Sequence, residues 1–226
     1  MPTSSSELPL SLVDRAYDSP SWWYDLRGLF ILTFAYRSHL FAQLAFFGAN
    51  MGREHLEAAV GSGSLLDLVL KWRRLLGRPA PRIVAFDYAE AMLAGARGRF
   101  ADRRDVELLR ADASRLPFAE ARFDTVNLAN AAHCFGDLDG ALAEACRVLR
   151  AGGTLAMNVL LVPRGWPPAR WIAGAINAWG MNKGILFSAY EEGDVLARVE
   201  RAGLAVVSAR VRGNALEVLA RKPGAM

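Results

Sequence analysis

Cysteine is scarce in this chain, and the few cysteines stand apart from one another. Only Cys134 and Cys146 occur among the 226 residues, and they form no Cys-x-x-Cys pair. Two isolated thiols argue against a disulfide framework and against a zinc site. We therefore expect a protein of a reducing compartment, the cytoplasm, with no metal centre.

Long apolar runs are also missing. The most apolar stretch, residues 26–50, is interrupted by Arg27, Arg37, His39 and Gln43, so it never reaches the roughly 18 to 20 residues that a spanning helix needs. The opening MPTSSSELPLS lacks the basic and apolar segments of a secretory signal. We expect no transmembrane segment. We interpret 26–50 as an internal packing helix, with peripheral contact to a membrane surface as the alternative.

No run of like charges marks a nucleic-acid partner. The chain has 27 Lys and Arg against 23 Asp and Glu, a net charge of +4. The basic residues are mostly arginines scattered along the chain, and the longest clusters are pairs such as Arg73-Arg74 and Arg103-Arg104. A basic binding face usually shows clustered Lys and Arg, so we expect no nucleic acid.

What the sequence does contain is a regular alternation of strand and helix patterns from residue 53 onward. Short apolar runs alternate with stretches of helical period, and Gly and Pro separate them. This alternation implies right-handed crossovers and a mostly parallel sheet. The predicted strands are 55–60, 82–87, 106–112, 123–130, 154–162, 205–211 and 215–221, and the predicted helices are 64–77, 88–100, 138–150 and 189–202.

The last two predicted strands are joined differently from the others. Only Arg212-Gly213-Asn214 separates them, which is a hairpin connection and makes the last strand antiparallel. The predicted fold is therefore α/β, a Rossmann-like seven-stranded, mostly parallel sheet with helices on both faces. A chain of 226 residues that is 53% hydrophobic suits one such unit.

Three segments divide the chain by role. We assign residues 1–52 to an N-terminal tail and helical cap, and residues 53–226 to the Rossmann-like domain. Residues 163–187 interrupt that domain with a second apolar and aromatic stretch. We interpret this insertion as a further part of the cap, within one compact unit.

A glycine turn follows the first predicted strand. In open α/β sheets, ligands bind at the carboxyl ends of the strands, and here that position reads Val60-Gly61-Ser62-Gly63-Ser64. Side chains at 61 and 63 would fill the space that a ligand needs, and glycine also permits a positive φ. We infer that a ligand lies against this bare backbone.

The turn does not match two common nucleotide motifs. A dinucleotide fingerprint needs a third small residue, but Leu66 occupies that position, which disfavours a nicotinamide cofactor. A P-loop needs a Lys-Ser/Thr pair, and Ser64-Leu65-Leu66 supplies none. Asp87 ends the second strand, 24 positions beyond Gly63, and a carboxylate there can accept hydrogen bonds from two ribose hydroxyls. A solvated or capping role would suit any one acid, but polar residues end four successive strands, so we predict adenosine binding.

These motifs, taken in order, resemble those of the class I S-adenosylmethionine-dependent methyltransferases, in the small-molecule branch similar to the ubiquinone and menaquinone methyltransferases. HLEAAVGSG is similar to the first motif, with Glu57 as its acid and Ala59, Gly61 and Gly63 at its glycine positions. Ala59 departs from the usual glycine. The resemblance implies that this loop, Ser62 included, contacts S-adenosyl-L-methionine, which becomes S-adenosyl-L-homocysteine after transfer.

The later motifs resemble the same family over roughly residues 50–162. AFDYAEAML is similar to the second motif, LRAD-ASRLPF to the third, LANAAHCF to the fourth, and RVLRAGGTL to the turn before the fifth strand, with Ala151 in place of proline. The resemblance implies that Asp87 binds both ribose hydroxyls. It also implies adenine contacts for Tyr88, Met92, Asp112 and Ala113, and a methionine contact for Asn130.

The methyl acceptor is less well defined by the sequence. Asn130-Ala131-Ala132-His133 stands where methyltransferases of nucleic-acid amines carry an Asn-Pro-Pro-Tyr type tetrad, so we do not expect DNA or RNA bases. The caps are rich in aromatic residues, which suggests a lipophilic or aromatic small molecule, although core filling would explain most of them. A helix folded over the cofactor, as in the family, would make Tyr17 and Tyr24 lid residues.

Three functions remain open at this point. We expect O-methylation of an apolar small molecule, with C-methylation of a quinone or lipid as the enzymatic alternative. A non-catalytic protein that binds an adenosine ligand is the third. His133 is the candidate base, because an imidazole titrates near pH 6.5, and a structural hydrogen bond is its alternative role. The metabolite, the pathway and the oligomeric state, a homodimer among the possibilities, are not indicated.

Overall fold

The structure is a computed structural model that describes residues 39–163, 166–182 and 190–224. In that part of the chain, six helices and seven strands alternate in the predicted order. The helices are α1 Leu40–Ala49, α2 Ser64–Leu75, α3 Glu90–Arg99, α4 Leu138–Val148, α5 Pro167–Asn182 and α6 Glu192–Arg201. The strands are β1 Glu54–Ala58, β2 Arg82–Asp87, β3 Val106–Arg110, β4 Phe123–Leu128, β5 Leu149–Leu160, β6 Ala205–Arg212 and β7 Ala215–Arg221.

The strands form one sheet in the order β3-β2-β1-β4-β5-β7-β6. The first five pair in parallel, and β7 runs antiparallel to both β5 and β6. The predicted fold class, including its antiparallel last strand, is confirmed. Because the chain order reverses at β1, the ends of β1 and β4 flank the switch point where such sheets bind ligands.

Apolar layers cover both faces of the sheet. On one face, Leu56 and Val126 pack with Leu142 of α4 and Val195 of α6. On the other, residues of α1 and α2 cover the sheet, together with Phe100 from the end of α3. The central strands β1, β2, β4 and β5 are thus mostly buried, as the near-continuous apolar runs of a parallel sheet require.

Strand β5 begins earlier than the sequence predicts. The expected helix 138–150 ends at Val148, and the strand starts at Leu149 rather than at residue 154. Gly152 and Gly153 therefore lie inside the strand rather than in a turn. Gly152 has φ +77°. The register of β5 with β4 shifts between Phe123 and Thr125. These glycines form an irregularity in the sheet, where the pattern alone suggested a stop.

The segment after β5 leaves the sheet and returns to the same place. The backbone N–H of Val162 donates to the Tyr190 carbonyl (3.0 Å), and the N–H of Tyr190 donates to the Leu160 carbonyl (3.1 Å). Helix α5 lies within this excursion. Both ends of the excursion are therefore attached to the carboxyl end of β5.

Two tryptophans of the excursion contradict the expectation of core filling. Trp166 and Trp171 are 73% and 76% exposed, because their positions near the start of α5 face away from the sheet core. Tyr17 and Tyr24 lie outside the described residues, as does most of the predicted N-terminal cap. The division of the chain into caps and domain stays a prediction. In the ranges that the structure covers, none of the helices combines the length and apolar character needed to cross a bilayer.

Candidate functional site

The glycine turn and Asp87 form one hydrogen-bonded unit at the carboxyl edge of the sheet. The N–H of Val60 donates to the Phe86 carbonyl (2.9 Å), which draws the turn after β1 toward β2. The N–H of Gly61 donates to Oδ2 of Asp87 (2.8 Å), and the N–H of Ala89 donates to Oδ1 (2.9 Å). A single buried carboxylate thus holds the glycine turn and the entry to α3.

Asp87 retains hydrogen-bonding capacity beyond these two contacts. Burial raises the pKa of its carboxyl group, while the backbone N–H groups of Ala89, Gly61 and Tyr88 oppose that shift. An ionised carboxylate has about four acceptor sites, and these three N–H groups do not use all of them. The remaining capacity suits a hydroxyl donor, so Asp87 fits the ribose that the sequence assigns to it.

The two glycines of the turn serve different purposes. Both have positive φ, +58° at Gly61 and +78° at Gly63. A Cβ at Gly63 would lie 2.5 Å from Cε2 of Phe100, whereas a Cβ at Gly61 would have no heavy atom within 4 Å. Gly63 is therefore required for packing against the end of α3. Gly61 is the bare backbone that borders open space, as a ligand site requires.

The rest of the turn is fixed from the protein side. Ala59 has φ +51°, a left-handed conformation that explains why glycine is usual there and that costs alanine about 1 kcal/mol. Ser62 is buried, its carbonyl accepts from Nε of Arg99 (3.0 Å), and its hydroxyl lies 3.3 Å from that of Ser64. The turn is held in a conformation suited to binding without rearrangement.

The predicted adenine contacts lie along the same edge. Asp112 and Ala113 follow β3, and the N–H of Ala111 donates to the Asp87 carbonyl (3.2 Å), which keeps the two strand ends adjacent. Oδ1 of Asp112 accepts from the N–H and the hydroxyl of Ser114, both at 2.9 Å. Its structural role is therefore that of a turn cap, and an adenine contact would use its other oxygen.

Tyr88 lies just before α3, and Met92 lies in its first turn. Met92 is buried, and Tyr88 is half-buried. The guanidinium of Arg110 lies 5.7 Å from the centre of the Tyr88 ring, and its Nε donates to the Tyr88 carbonyl (2.9 Å). The ring is thus held beside the Asp87 unit by a cation that the sequence analysis did not identify.

Asn130, itself half-buried, is the centre of an amide cluster whose other members, Gln43 and Asn158, are buried. Its backbone is left-handed, with φ +55°, and its N–H donates to Oδ1 of Asn158 (2.6 Å). Its side chain pairs reciprocally with Gln43 of α1, at 3.0 and 3.2 Å, and accepts from Nδ2 of Asn158 (2.6 Å). Gln43 and Asn158 were missed by the sequence analysis. The sequence feature that could have identified them is the single amide residue within each apolar run, LFAQLAFF and LAMNVLL.

We expect Gln43→Leu to destabilise the protein through Asn130. The substitution leaves Nδ2 of half-buried Asn130 without its acceptor, which costs about 1 kcal/mol. A double-mutant cycle that combines Gln43→Leu with Asn130→Gly measures the coupling free energy between the two side chains by urea unfolding. Glycine is chosen at 130 because it tolerates the left-handed backbone. The cluster predicts a coupling free energy above about 0.5 kcal/mol. Strictly additive effects would mean that the two amides do not support each other.

A second polar network lies under α1, and it includes Glu57. Oε2 of Glu57 lies 3.1 Å from Nε2 of His55 and accepts from Nδ2 of Asn127 (3.2 Å). Nδ1 of His55 lies 2.8 Å from the hydroxyl of Thr125, and Asn50 donates to Oδ1 of Asn127 (3.0 Å). The structure thus places the first-motif acid within the sheet's own hydrogen bonds, and its cofactor contact stays a prediction.

His133 lies directly after β4, in the short 3-10 turn Ala132–Cys134. Its side chain is buried, and loss of solvation lowers the pKa of its imidazole from 6.5 to about 4. The neutral ring is therefore the form present at pH 7. The structure brings His133 to the edge that also holds Asn130, Gly61 and Asp87.

Comparisons of sequence agree with this site. Residues 56–157 match the family model described as a methyltransferase domain. The ubiquinone/menaquinone biosynthesis C-methyltransferase UbiE of Pseudomonas entomophila is 37% identical over 111 residues, which are 48% of this chain and 42% of that protein. The similarity thus spans less than half the length of this relative. The match to the family model contains the glycine turn, Asp87, Asp112 and Asn130.

Comparisons of structure agree with the fold. Phosphoethanolamine N-methyltransferase 2 of Haemonchus contortus, solved with S-adenosyl-L-methionine, has a TM-score of 0.65 at 14% identity and covers 80% of this chain and 52% of its own. The [4+2]-cyclase SpnF has a TM-score of 0.64 at 15% identity, with 82% and 80% covered. Likenesses at such low identity establish the architecture, and function must come from the site.

Proposed function

We propose that this chain is a class I S-adenosylmethionine-dependent methyltransferase, and that it transfers the methyl group of S-adenosyl-L-methionine to an apolar or aromatic small molecule. The observation that carries the proposal is the unit of Gly61 and Asp87. It offers bare backbone and a carboxylate with spare acceptor sites at the switch point of the sheet.

The residues at the sheet edge would hold the cofactor by its parts. Asp87 would accept from the ribose hydroxyls, Gly61, Ser62 and Gly63 would lie against the methionine end, and Asn130 would contact the amino-acid portion. Tyr88, Met92, Asp112 and Ala113 would enclose the adenine. When bound, the cofactor supplies a methyl group on a positively charged sulfur, an electrophile strong enough for transfer to a well-aligned acceptor. Glu57, Ala59, Tyr17 and Tyr24 complete the proposed contacts.

Alignment is the main catalytic contribution that this site offers. Holding two reactants in line can lower the barrier by about 7 to 11 kcal/mol. The fixed glycine turn and the amide cluster around Asn130 supply the rigid wall that alignment requires, because their hydrogen bonds come from four elements of the fold. Methyl transfer then needs a pocket that presents the acceptor atom along the bond to the departing sulfur.

We propose an oxygen as the acceptor atom, with His133 as the base that takes its proton. Because burial lowers the pKa of His133 to about 4, the imidazole is neutral and can accept a proton at physiological pH. A base of that pKa contributes less than one near 7, since the proton-transfer driving force is smaller. His133→Ala is the direct variant for this role, and it should lower turnover much more than affinity for the cofactor.

C-methylation of a quinone is the second candidate. It is favoured by the 37% identity to a protein named as a ubiquinone/menaquinone C-methyltransferase. The apolar composition of the caps suits both candidates, because a naphthol and a quinone are similar in size and polarity. The acceptor atom therefore has to be read from a product.

The test is a methyl-transfer assay followed by mass spectrometry. The full chain is incubated with S-adenosyl-L-methionine in two parallel reactions. One contains 2-naphthol, and the other contains a 1,4-naphthoquinol that has no methyl group at carbon 2. A mass gain of one methylene on 2-naphthol supports O-transfer, and a gain on ring carbon of the quinol supports the second candidate. Cofactor binding without any product from either compound would favour a non-catalytic adenosine-ligand protein.

The buried imidazole also predicts a dependence of stability on pH. In the unfolded chain a histidine titrates near pH 6.5, whereas in the folded protein the pKa of His133 is about 4. Between these values the unfolded state binds more protons, so the free energy of unfolding falls as the pH falls from 6.5 toward 4. Between pH 6.5 and pH 4, the free energy of unfolding of His133→Gln should therefore fall by about 3 kcal/mol less than that of the wild type.

Urea unfolding at pH 7 and pH 4.5 measures this difference. His39 provides the control, because its side chain is exposed and His39→Gln should follow the wild-type curve. Equal losses in wild type and His133→Gln would mean that His133 is solvated in the folded protein.

A further inference from the structure

One buried amide in the described part of the chain has no protein partner. Asn177 of α5 is 5% exposed, and neither its Nδ2 nor its Oδ1 makes a hydrogen bond to the described residues. Buried amides elsewhere in the structure, such as Gln43, Asn127 and Asn158, are all bonded. Leaving both ends of a buried amide unpaired is costly, so Asn177 requires a partner beyond the described residues.

The position of α5 in the fold connects Asn177 with the proposed active site. The excursion that contains α5 begins and ends at the carboxyl end of β5, at Leu160, Val162 and Tyr190. Two residues before the end of that strand, Asn158 bonds Asn130. The excursion therefore starts and finishes beside the strand end where the methionine portion of the cofactor is proposed to lie. An insertion attached there is well placed to contact the acceptor.

The neighbours of Asn177 on the helix are small. Ala173, one turn earlier on the same stripe, is 1% exposed. Gly174 is half-buried, and a Cβ built on it would meet no heavy atom within 4 Å. The bulky Trp171 and the methyl of Ala178 are on the exposed side of the helix. The stripe that carries the unpaired amide thus leaves room for another group.

We propose that Asn177 is the polar contact for the methyl acceptor, and that this acceptor presents two neighbouring oxygens. The inference rests on the proposed methyltransferase function. A primary amide offers N–H donors and a carbonyl acceptor side by side. Its complement is a pair of adjacent groups of which one accepts and one donates, as in a vicinal diol on an aromatic ring. The space beside Ala173 and Gly174 would receive the ring, and Asn177 would select the pair of oxygens.

Selection by a buried amide has a measurable signature. A site built to hydrogen-bond a hydroxyl discriminates strongly against an analogue that lacks it, because the buried group is left unpaired. The probes are 2,3-dihydroxynaphthalene and 2,3-dimethylnaphthalene, which have nearly the same shape. We expect wild-type protein with bound S-adenosylhomocysteine to bind the diol at least about 10-fold more tightly than the dimethyl compound. Asn177→Leu should bind the dimethyl compound equally well or better.

The same variant separates a binding role from a packing role. Leucine has the same branched shape and number of side-chain heavy atoms as asparagine and needs no partner, so Asn177→Leu should raise the melting temperature of the ligand-free protein by several degrees. Ala178→Leu places the same side chain on the exposed side of the helix, and it should change neither the melting temperature nor the preference for the diol. A gain in stability with a loss of selectivity is the pattern that a site for a ligand predicts.

Two results would overturn the inference. One is a wild-type protein that binds S-adenosylhomocysteine but does not prefer the diol. The other is an Asn177→Leu protein that melts at a lower temperature and keeps the wild-type preference. Cofactor binding is measured separately by calorimetry, so its failure would be recognised as a failure of the proposed function, whereas loss of selectivity alone concerns Asn177.

Discussion

Asp87→Asn should weaken the binding of S-adenosylhomocysteine by about 100-fold. Each charge-assisted hydrogen bond to a ribose hydroxyl contributes about 1.5 kcal/mol or more, and two of them correspond to about two orders of magnitude in affinity. The variant also presents an NH₂ group to one of two backbone donors, since both Gly61 and Ala89 donate to this side chain. The turn then loses part of its support as well as its charge. Isothermal titration calorimetry gives the dissociation constant directly.

The control for Asp87 lies on the preceding helix. Asp67 of α2 is paired with Lys71 at the surface, at 2.7 Å, so Asp67→Asn removes a carboxylate without touching the sheet edge. Exposed pairs of this kind contribute about 0.3–0.5 kcal/mol, and binding should stay at the wild-type value. Wild-type affinity in Asp87→Asn, with a wild-type circular dichroism spectrum, would remove the ribose assignment.

Gly61→Ala is expected to abolish most cofactor binding while the protein stays folded. The backbone there has φ +58°, so alanine costs about 1 kcal/mol of strain. A Cβ at this position meets no protein atom within 4 Å. It would instead occupy the space in which we place the ligand. We expect a loss of at least about 10-fold in affinity, with the melting temperature lowered by only a few degrees.

The chain supplies a closely matched control for this substitution. Gly77, just beyond α2, has φ +65°, and a Cβ on it also meets no heavy atom within 4 Å. Gly77→Ala should therefore lower stability by a similar amount and leave binding unchanged. Gly63→Ala should behave in the opposite way to Gly61→Ala, with a larger stability loss, because its Cβ would lie 2.5 Å from Phe100. Equal binding by the Gly61 and Gly77 variants would show that no ligand lies against the turn.

The architecture of the sheet could be predicted because local patterns specify it. Apolar runs and helical periods mark each element, and the short Arg212-Gly213-Asn214 connection makes the last strand antiparallel. The proximity of Gly61, Asp87, Asp112 and Asn130 followed from the rule that parallel strands end at one edge. The order of motifs along the chain was sufficient for this part of the site.

Other features depend on tertiary contacts that a single sequence does not display. The different roles of Gly61 and Gly63 are set by Phe100, 37 residues beyond the turn. The partner of Asn130 is Gln43, which lies 87 residues away in sequence. The start of β5 at Leu149 involves glycines that look like a helix stop until their hydrogen bonds with the backbone of Lys222 are known.

Asn177 illustrates a further limit. An asparagine in a helical stretch looks like a surface residue in the sequence, since asparagine is usually exposed. Only the combination of burial and missing partners sets it apart. The substrate-facing part of the site was therefore the least predictable, because polar residues that serve a ligand follow no periodic pattern.

The central claim is that the glycine turn and Asp87 together bind the adenosyl group of the cofactor. Its most direct test is isothermal titration calorimetry of the full chain with S-adenosylhomocysteine, S-adenosylmethionine and NADH. We predict one site per chain for the two adenosyl compounds, saturating at or below about 100 µM, and no heat from NADH. A titration in which neither adenosyl compound produces heat would contradict the account.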